Sequence, residues 1–159
     1  MGYLPNTLKT FAMAIAAASI FLAPVAQADD DDLIIKPSAH SVKETIDALQ
    51  GILESKGIKV FGRVDHAANA KNAGLELPPT ELLVFGNPKL GTPLMQSNRH
   101  IGIDLPMKAL AWEDADGKVF LAYTDPEELK DRYDIDDKDE VFEKMKKALG
   151  GMTDKATAK

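Results

Sequence analysis

The sequence predicts a two-layer α+β sandwich, in which helices pack on one face of a mixed sheet. Short apolar runs bounded by glycine, proline and aspartate are typical of strands, and they recur between segments with helical periodicity. The Asp114–Gly117 turn joins two of these runs as a hairpin, because an Asp-Gly pair suits the positive φ of tight turns. We expect one domain, at residues 29–149, since this length is enough for a single core.

The first 28 residues are predicted to be a cleaved signal peptide. Lys9 precedes a continuous apolar run, Phe11–Ala23, and Ala26-Gln27-Ala28 gives the small-x-small pattern of a cleavage site. The run is short for a membrane span, and the acidic segment Asp29–Asp32 follows it without a basic cluster. We therefore expect cleavage after Ala28 and a periplasmic protein without a stable membrane anchor; an uncleaved anchor is the alternative.

Composition excludes several classes of function. The predicted mature chain carries 18 Lys and Arg against 25 Asp and Glu, because Lys9 is removed, and its net charge is −7. Such an acidic domain is not expected to bind nucleic acid or anionic lipid. The chain contains no cysteine, which excludes disulfides, thiol nucleophiles and thiolate metal sites. No cofactor is predicted.

The first half of the domain reads as strand, helix, strand and short helix. Leu33–Lys36 is a short strand, and a capping box at Ser41 and Glu44 begins a helix that Gly57 ends. Ile58–Val64 is predicted to be the second strand, and a parallel βαβ pairing with the first strand is possible. A short alanine-rich helix follows over residues 65–74.

The second half is predicted to contain more strands and three further helices. The expected segments are a strand at Thr80–Phe85, a helix at Pro88–Gln96, extended chain at His100–Leu105 and Met107–Glu113, a return strand at Lys118–Tyr123, a helix from Pro126, and a helix at Lys138–Leu149. Gly150-Gly151 should end the last helix, so residues 150–159 are expected to form a disordered tail.

Eight segments, in order along the chain, carry a family resemblance. They are Gly57–Phe61, Asp65–Ala67, Gly74–Leu77, Pro79–Leu83, Phe85–Met95, Asp104–Lys108, Trp112–Asp114 and Tyr123–Pro126. Together they resemble the domain of unknown function 302 family, which implies a two-layer α/β fold that tends to pair as dimers. Tyr133 stands where many relatives carry a histidine, which speaks against a site that depends on that histidine.

The corner between the third strand and the following helix, Phe85–Met95, is the leading candidate site. Asn87 can cap the helix and Pro88 suits its first position, so free backbone N–H groups could converge there on an anion. The candidate ligand residues at the corner are Gly86, Asn87, Lys89, Gly91 and Thr92. Gly86-x-x-x-x-Gly91-Thr92 lacks the lysine of a phosphate loop, so nucleotide hydrolysis is not predicted. A small anionic ligand or a purely structural corner remain the two interpretations.

An acid–base enzyme is the second hypothesis. His66 and Lys108 could exchange protons with a nearby carboxylate of Glu81, Asp104 or Asp125 if the fold brings them together. The alternative is that His66 only lies in a first helical turn and Lys108 only covers apolar surface. No nucleophile elbow is present, so serine chemistry is not expected.

No metal site is predicted. The histidines His40, His66 and His100 are dispersed and lack the close spacing of metal ligands. Met95 and Met107 could suit copper, but methionines at such positions are more often core residues.

A homodimer is the predicted assembly. Leu110 and Trp112 share a strand face and could form an apolar patch with Phe120 or Tyr123 of the return strand. A structural or protein-interaction module is therefore the third hypothesis for function.

Overall fold

The computed structural model describes residues 32–159, which form a five-stranded sheet and five α-helices. The strands are β1 (Leu33–Ser38), β2 (Lys59–Asp65), β3 (Thr80–Gly86), β4 (Met107–Glu113) and β5 (Val119–Thr124). The helices are α1 (Val42–Ser55), α2 (His66–Asn72), α3 (Pro88–Ser97), α4 (Pro126–Arg132) and α5 (Asp139–Thr157), with a 3₁₀ turn at Arg99–Ile103. The predicted signal peptide and its cleavage site lie outside the described residues.

The sheet has the order β1-β5-β4-β3-β2, and every pairing in it is antiparallel. The predicted α+β class is therefore confirmed, but the mixed sheet and the parallel βαβ unit are wrong. β1 and β2 lie at opposite edges, because the meander of β3, β4 and β5 fills the centre of the sheet between them.

The core lies between one face of this sheet and helices α1 and α5. Alternate residues of β4, namely Met107, Ala109 and Ala111, are buried on that face. Helix α1 supplies Ile46, Leu49 and Leu53, whose side chains are fully buried. The capping box at the start of α1 is present, since the Ser41 hydroxyl accepts a bond from the Glu44 amide and the Glu44 carboxylate accepts one from the Ser41 amide.

The predicted disordered tail is wrong, because α5 continues through Gly150-Gly151 as far as Thr157. The added turns bury Met152 and Ala156 against the rest of the domain. The Lys36 ammonium on β1 donates to the Gly150 carbonyl at 3.0 Å and to Thr153 Oγ1 at 2.8 Å. These tertiary contacts outweigh the low helix propensity of the two glycines.

Two other segments also differ from the prediction. The stretch expected to be extended at His100–Leu105 begins with a 3₁₀ turn, which Asn98 caps by accepting a bond from the His100 amide at 3.0 Å. β1 continues past Pro37 to Ser38. This is possible because β1 is an edge strand, where a residue without an N–H group need not break a hydrogen bond of the sheet.

Candidate functional site

The predicted helix start is present at the corner, but the backbone N–H groups of the first turn already donate hydrogen bonds within the protein. Asn87 Oδ1 accepts from the Lys89 amide at 3.0 Å, and the Asn87 carbonyl accepts from the amides of Leu90 and Gly91. Pro88 has no amide proton to offer. The expectation that free N–H groups converge on an anion is therefore wrong for the first turn of α3.

Beside this corner lies a cavity of about 210 Å³ with an apolar lining. Its walls come from α3, α5, the start of β4 and the β2 edge of the sheet. The apolar side chains that line it are Ile58, Phe61, Phe85, Pro88, Leu90, Met95, Leu105, Pro106, Met107, Met145, Ala148, Leu149 and Met152. Among residues 32–159, no ionisable residue lines this cavity.

Of the two corner glycines, Gly86 stands closest to its neighbours in the cavity wall. A Cβ on Gly86 would stand 3.3 Å from the Pro106 Cβ and 3.6 Å from the ring of Phe61. A Cβ on Gly91 would stand 3.5 Å from Leu105 Cδ1, which is an ordinary contact. Neither glycine has a positive φ, so space rather than backbone conformation requires glycine at position 86.

Phe61 forms the exposed side of the cavity. The register between β2 and β3 shifts at this residue, and the bulge leaves Phe61 unpaired and 48% exposed. The Lys59 ammonium lies 4.9 Å from the centre of the Phe61 ring. The cavity is therefore open to solvent past an aromatic side chain.

Four of the seven predicted ligand residues line this cavity, and three do not. Gly86, Asn87, Gly91 and Thr92 are in its wall, whereas Lys89 is exposed on the first turn of α3 outside it. Within the described residues, no hydrogen bond to the protein engages Asn87 Nδ2 or the Thr92 hydroxyl. These two groups are the polar atoms that a ligand could meet at the rim.

His66 and Lys108 lie away from the cavity and from each other. His66 follows Asp65, which pairs with Glu81 near the start of β3, while the corner is at the other end of that strand. The five residue steps between Glu81 and Gly86 correspond to roughly 17 Å. Lys108 is exposed on the sheet face opposite the buried Met107, so it points away from the cavity.

The carboxylates considered for acid–base chemistry are all held in structural contacts. Glu81 receives the Arg63 guanidinium at 2.5 Å, and Asp125 caps α4 by accepting from the Glu127 amide at 3.0 Å. The Asp104 carboxylate is bound by Arg132 and Tyr133. The Lys108 ammonium donates instead to the main-chain carbonyl of Asp104, at 3.1 Å. No hydrogen bond or ion pair joins His66 to any of these carboxylates among the described residues, and no complete acid–base set forms there.

The Asp104 side chain joins the segment before β4 to the end of α4. Its Oδ2 accepts from the Tyr133 hydroxyl at 2.6 Å and from the Arg132 guanidinium at 3.1 Å. Burial alone would raise the pKa of this carboxyl, but the bonds from Tyr133 and Arg132 hold the pKa below its ordinary value. The same hydrogen bond raises the pKa of the Tyr133 hydroxyl.

The sheet face opposite α1 and α5 displays apolar side chains. The rings of Trp112 and Phe120 stack there with centroids 5.6 Å apart. Leu33 and Ile35 on β1 are 41% and 39% exposed. Tyr123 does not belong to this patch, because it is buried on the opposite, helix-covered face.

Sequence reasoning missed most of the cavity wall, including Met145 and Met152 of α5. Met145 and Met152 stand two helical turns apart on one face of α5, a spacing that the sequence does display. Nothing local predicts that this face meets Met95 and Met107 from other elements.

Residues 32–159 contain neither a membrane-spanning helix nor a cluster of metal-binding side chains. No helix in this range is both long and apolar enough to cross a bilayer. The same residues contain no cluster of three or more His, Cys, Asp or Glu side chains arranged to hold a metal ion.

The fold defines a small antiparallel α+β domain with one helix-covered face and an apolar cavity at the β3–α3 corner. The family model described as Domain of unknown function DUF302 matches residues 34–151. The chain belongs to this family. An uncharacterized conserved DUF302 protein from Bacillus stearothermophilus has a similar crystal structure, with a TM-score of 0.71 and 20% identity over 79% of this chain and 98% of that one.

Closer sequence relatives are longer proteins. The chain is 54% identical over 112 residues to a protein named fluoride-specific ion channel FluC 1 from Brucella suis biovar 1 (strain 1330), which covers 70% of this chain and 44% of the relative. A protein of the same name from Brucella abortus biovar 1 (strain 9-941) is also 54% identical, over 42% of its length. The chain therefore spans less than half the length of these relatives.

Proposed function

We propose that this protein is an exported, non-enzymatic binding domain that takes a small, mainly apolar ligand in the cavity at the β3–α3 corner. The observation that carries the proposal is the cavity itself, which is bounded by apolar side chains from four parts of the fold. Concave, mostly apolar sites with a few polar groups are typical of small-molecule binding. No wall residue among the described residues is ionisable, which favours a mainly apolar ligand over the small anionic ligand expected from the sequence.

The volume of the cavity limits the size of the ligand. A protein cavity of about 150 Å³ lined by apolar side chains is large enough to bind benzene. At about 210 Å³, this cavity accommodates one aromatic ring with a short substituent, or a short acyl chain. Larger ligands would have to extend past Phe61 into solvent.

The rim favours a ligand with one polar end. Asn87 Nδ2 can donate a hydrogen bond, and the Thr92 hydroxyl can donate or accept one. A carboxylate, amide or hydroxyl on the ligand would face these groups while its apolar part occupies the cavity. The exposed Lys89 lies on the same first turn and could add a weak, screened attraction to a carboxylate.

An accessory role also agrees with the relatives. The match covers less than half of the proteins named fluoride-specific ion channels, so in them the corresponding region is joined to a further stretch of chain. A domain that occurs in this way is suited to bind a ligand or a partner on behalf of another protein. Export through the signal peptide is part of the proposal and can be tested by the mass of the native protein, which should begin at Asp29.

A thermal-shift titration with 3-phenylpropionate, octanoate and inorganic phosphate tests the binding site. The two organic acids should raise the Tm of the wild type, because a ligand that binds only the folded state stabilises it by about 2.7 kcal/mol at a hundred times its Kd. Ala148→Trp would place an indole at the mouth of the cavity and should abolish the shift. Lys147→Trp, on the same helix but outside the wall, is the matched control.

The results distinguish the alternatives directly. A shift that Ala148→Trp removes and that Lys147→Trp and Lys89→Ala retain supports the apolar cavity. If phosphate stabilises the wild type and Lys89→Ala loses that effect, the anion interpretation of the corner is right and the apolar one is wrong. Equal shifts in wild type and Ala148→Trp would move the site elsewhere.

A homodimer through the outer face of the sheet is the second proposal. The Trp112–Phe120 stack and the exposed Leu33 and Ile35 form an apolar surface without a covering helix. Surfaces of this kind in soluble domains are typical of protein interfaces. A dimer mass in multi-angle light scattering at micromolar concentration would support this arrangement, and a monomer mass would contradict it.

A further inference from the structure

Every methionine of residues 32–159 lines the one cavity at the β3–α3 corner. They are Met95 on α3, Met107 at the start of β4, and Met145 and Met152 on α5. Methionines from three separate elements thus line a single cavity of about 210 Å³. The sequence alone favours core packing for Met95 and Met107, and it gives no reason for this convergence.

We propose that these four methionines form a thioether site for a soft monovalent cation, copper(I) in the first place. Thioether sulfur is a soft, neutral ligand that favours copper(I) over harder divalent ions. Methionine has three rotatable bonds, so the sulfurs can turn toward a common point without movement of the backbone. The inference concerns the same cavity as the proposed function but does not depend on an organic ligand.

The burial of the methionines and the lack of a carboxylate in the cavity wall favour a monovalent ion over a divalent one. Met107, Met145 and Met152 are no more than 6% exposed, and the cavity wall contains no carboxylate to neutralise a cation. Transfer of a divalent ion from water into such a site would cost far more than that of a monovalent one. Zinc and copper(II) should therefore bind much more weakly than copper(I).

A part-buried methionine gives the ion a route into the cavity. Met95 on α3 is only partly covered, whereas Met107, Met145 and Met152 are buried. Met95 can therefore take the ion first and pass it to the buried sulfurs by a change of side-chain rotamer.

Silver(I), a redox-stable soft cation, is the probe for the first experiment. Native mass spectrometry of the full chain should show one bound silver ion, and a competition titration with copper(I) and the chelator bicinchoninate should show copper(I) at the same site. Met95→Leu combined with Met145→Leu removes two sulfurs but keeps an apolar wall of similar volume. This variant should bind silver at least tenfold more weakly than the wild type.

Leu90→Ile is the matched control, since it changes the wall without removing sulfur and should bind silver as the wild type does. Labelling with [methyl-¹³C]methionine gives a direct readout, because the methyl resonances of ligating residues should shift when silver is added. Failure to bind, unshifted methyl resonances, or equal silver binding by the double leucine variant would overturn the proposal.

The same variants separate this proposal from organic-ligand binding. The double leucine variant should keep the thermal shift with 3-phenylpropionate, because its cavity stays apolar. Loss of silver binding alone would support the thioether site. If silver and 3-phenylpropionate binding are both intact in this variant, the methionines serve only as an adaptable apolar wall, and the metal proposal is wrong.

Discussion

Deletion of residues 151–159 should strongly destabilise the domain, although the sequence suggests that these residues are dispensable. The deletion removes the buried side chains of Met152 and Ala156 and the hydrogen bond from the Lys36 ammonium to Thr153. Burial contributes about 2 kcal/mol for the methionine and about 0.8 kcal/mol for the alanine methyl group. The hydrogen bond adds about 1 kcal/mol.

The backbone itself changes this sum little, because adding a residue to an existing helix is close to neutral in free energy. The expected loss is therefore about 3–4 kcal/mol in the free energy of unfolding. For a domain of this size, that corresponds to a shift of roughly 2 M in the urea midpoint. Urea unfolding followed by far-UV circular dichroism measures this shift.

A shorter deletion is the control. Removal of Ala158 and Lys159 alone takes away the exposed bond between His40 and the Ala158 carbonyl and no buried side chain. It should change the midpoint by less than about 0.3 M, since an exposed contact contributes little. If the longer deletion costs less than about 1 kcal/mol, the end of α5 is not integrated into the core and this reasoning is refuted.

Three further predictions follow from single sites. Gly91→Ala should stabilise the protein by about 0.5–1 kcal/mol, because alanine favours the helix more than glycine does. The added Cβ would meet only Leu105, at an ordinary distance, so thermal unfolding should show a higher Tm. A lower Tm would show that α3 needs glycine there. The lowered pKa of Asp104 supplies stability that is complete above its ordinary pKa and is lost as pH falls through the lowered value. Tyr133→Phe removes one cause of that shift, so less stability should be lost on acidification and the loss should end at a higher pH, and an unchanged profile between about pH 2 and 5 would contradict this. Trp112→Lys on the outer sheet face should convert a dimer into a monomer in light scattering without lowering the Tm of the monomer, and a persistent dimer would place the interface elsewhere.

Local signals in the sequence predicted most helix starts and turns correctly. The capping box at Ser41, the Asn87-Pro88 helix start and the Asp114–Gly117 turn all depend on a few neighbouring residues, whose preferences act within one turn of chain. The class of fold followed from the same signals together with the family resemblance. What these signals could not give was the pairing of strands, because β1 and β2 are separated by three strands that come later in sequence.

The end of α5 shows how tertiary contacts override a local rule. Two adjacent glycines normally end a helix, yet here Lys36 binds the carbonyl of Gly150 from a strand 114 residues earlier. Met152 and Ala156 then find a buried surface that the sequence does not reveal. A prediction from residues 138–159 alone had no access to that surface.

The sequence predicted the strand-to-helix corner correctly, but it could not show that the N–H groups of the first helical turn are engaged. The corner at Gly86 and Asn87 does border an apolar cavity, but Asn87 and the first turn of α3 use the N–H groups among themselves. The cavity exists because α5 and the bulge at Phe61 approach the corner from distant parts of the chain. Periodicity and spacing give the faces of these elements, and only the fold shows which faces meet.

The corner between β3 and α3 is proposed to form one wall of an apolar ligand cavity. A two-dimensional NMR titration of amide and methyl resonances with 3-phenylpropionate, and in parallel with inorganic phosphate, distinguishes this cavity from an anion site. We expect 3-phenylpropionate to shift the methyl resonances of Met95, Met107, Leu149 and Met152, and phosphate to leave them unchanged. Saturable shifts of the Lys89, Leu90 and Gly91 amides with phosphate, together with no methyl shifts from 3-phenylpropionate, would contradict it.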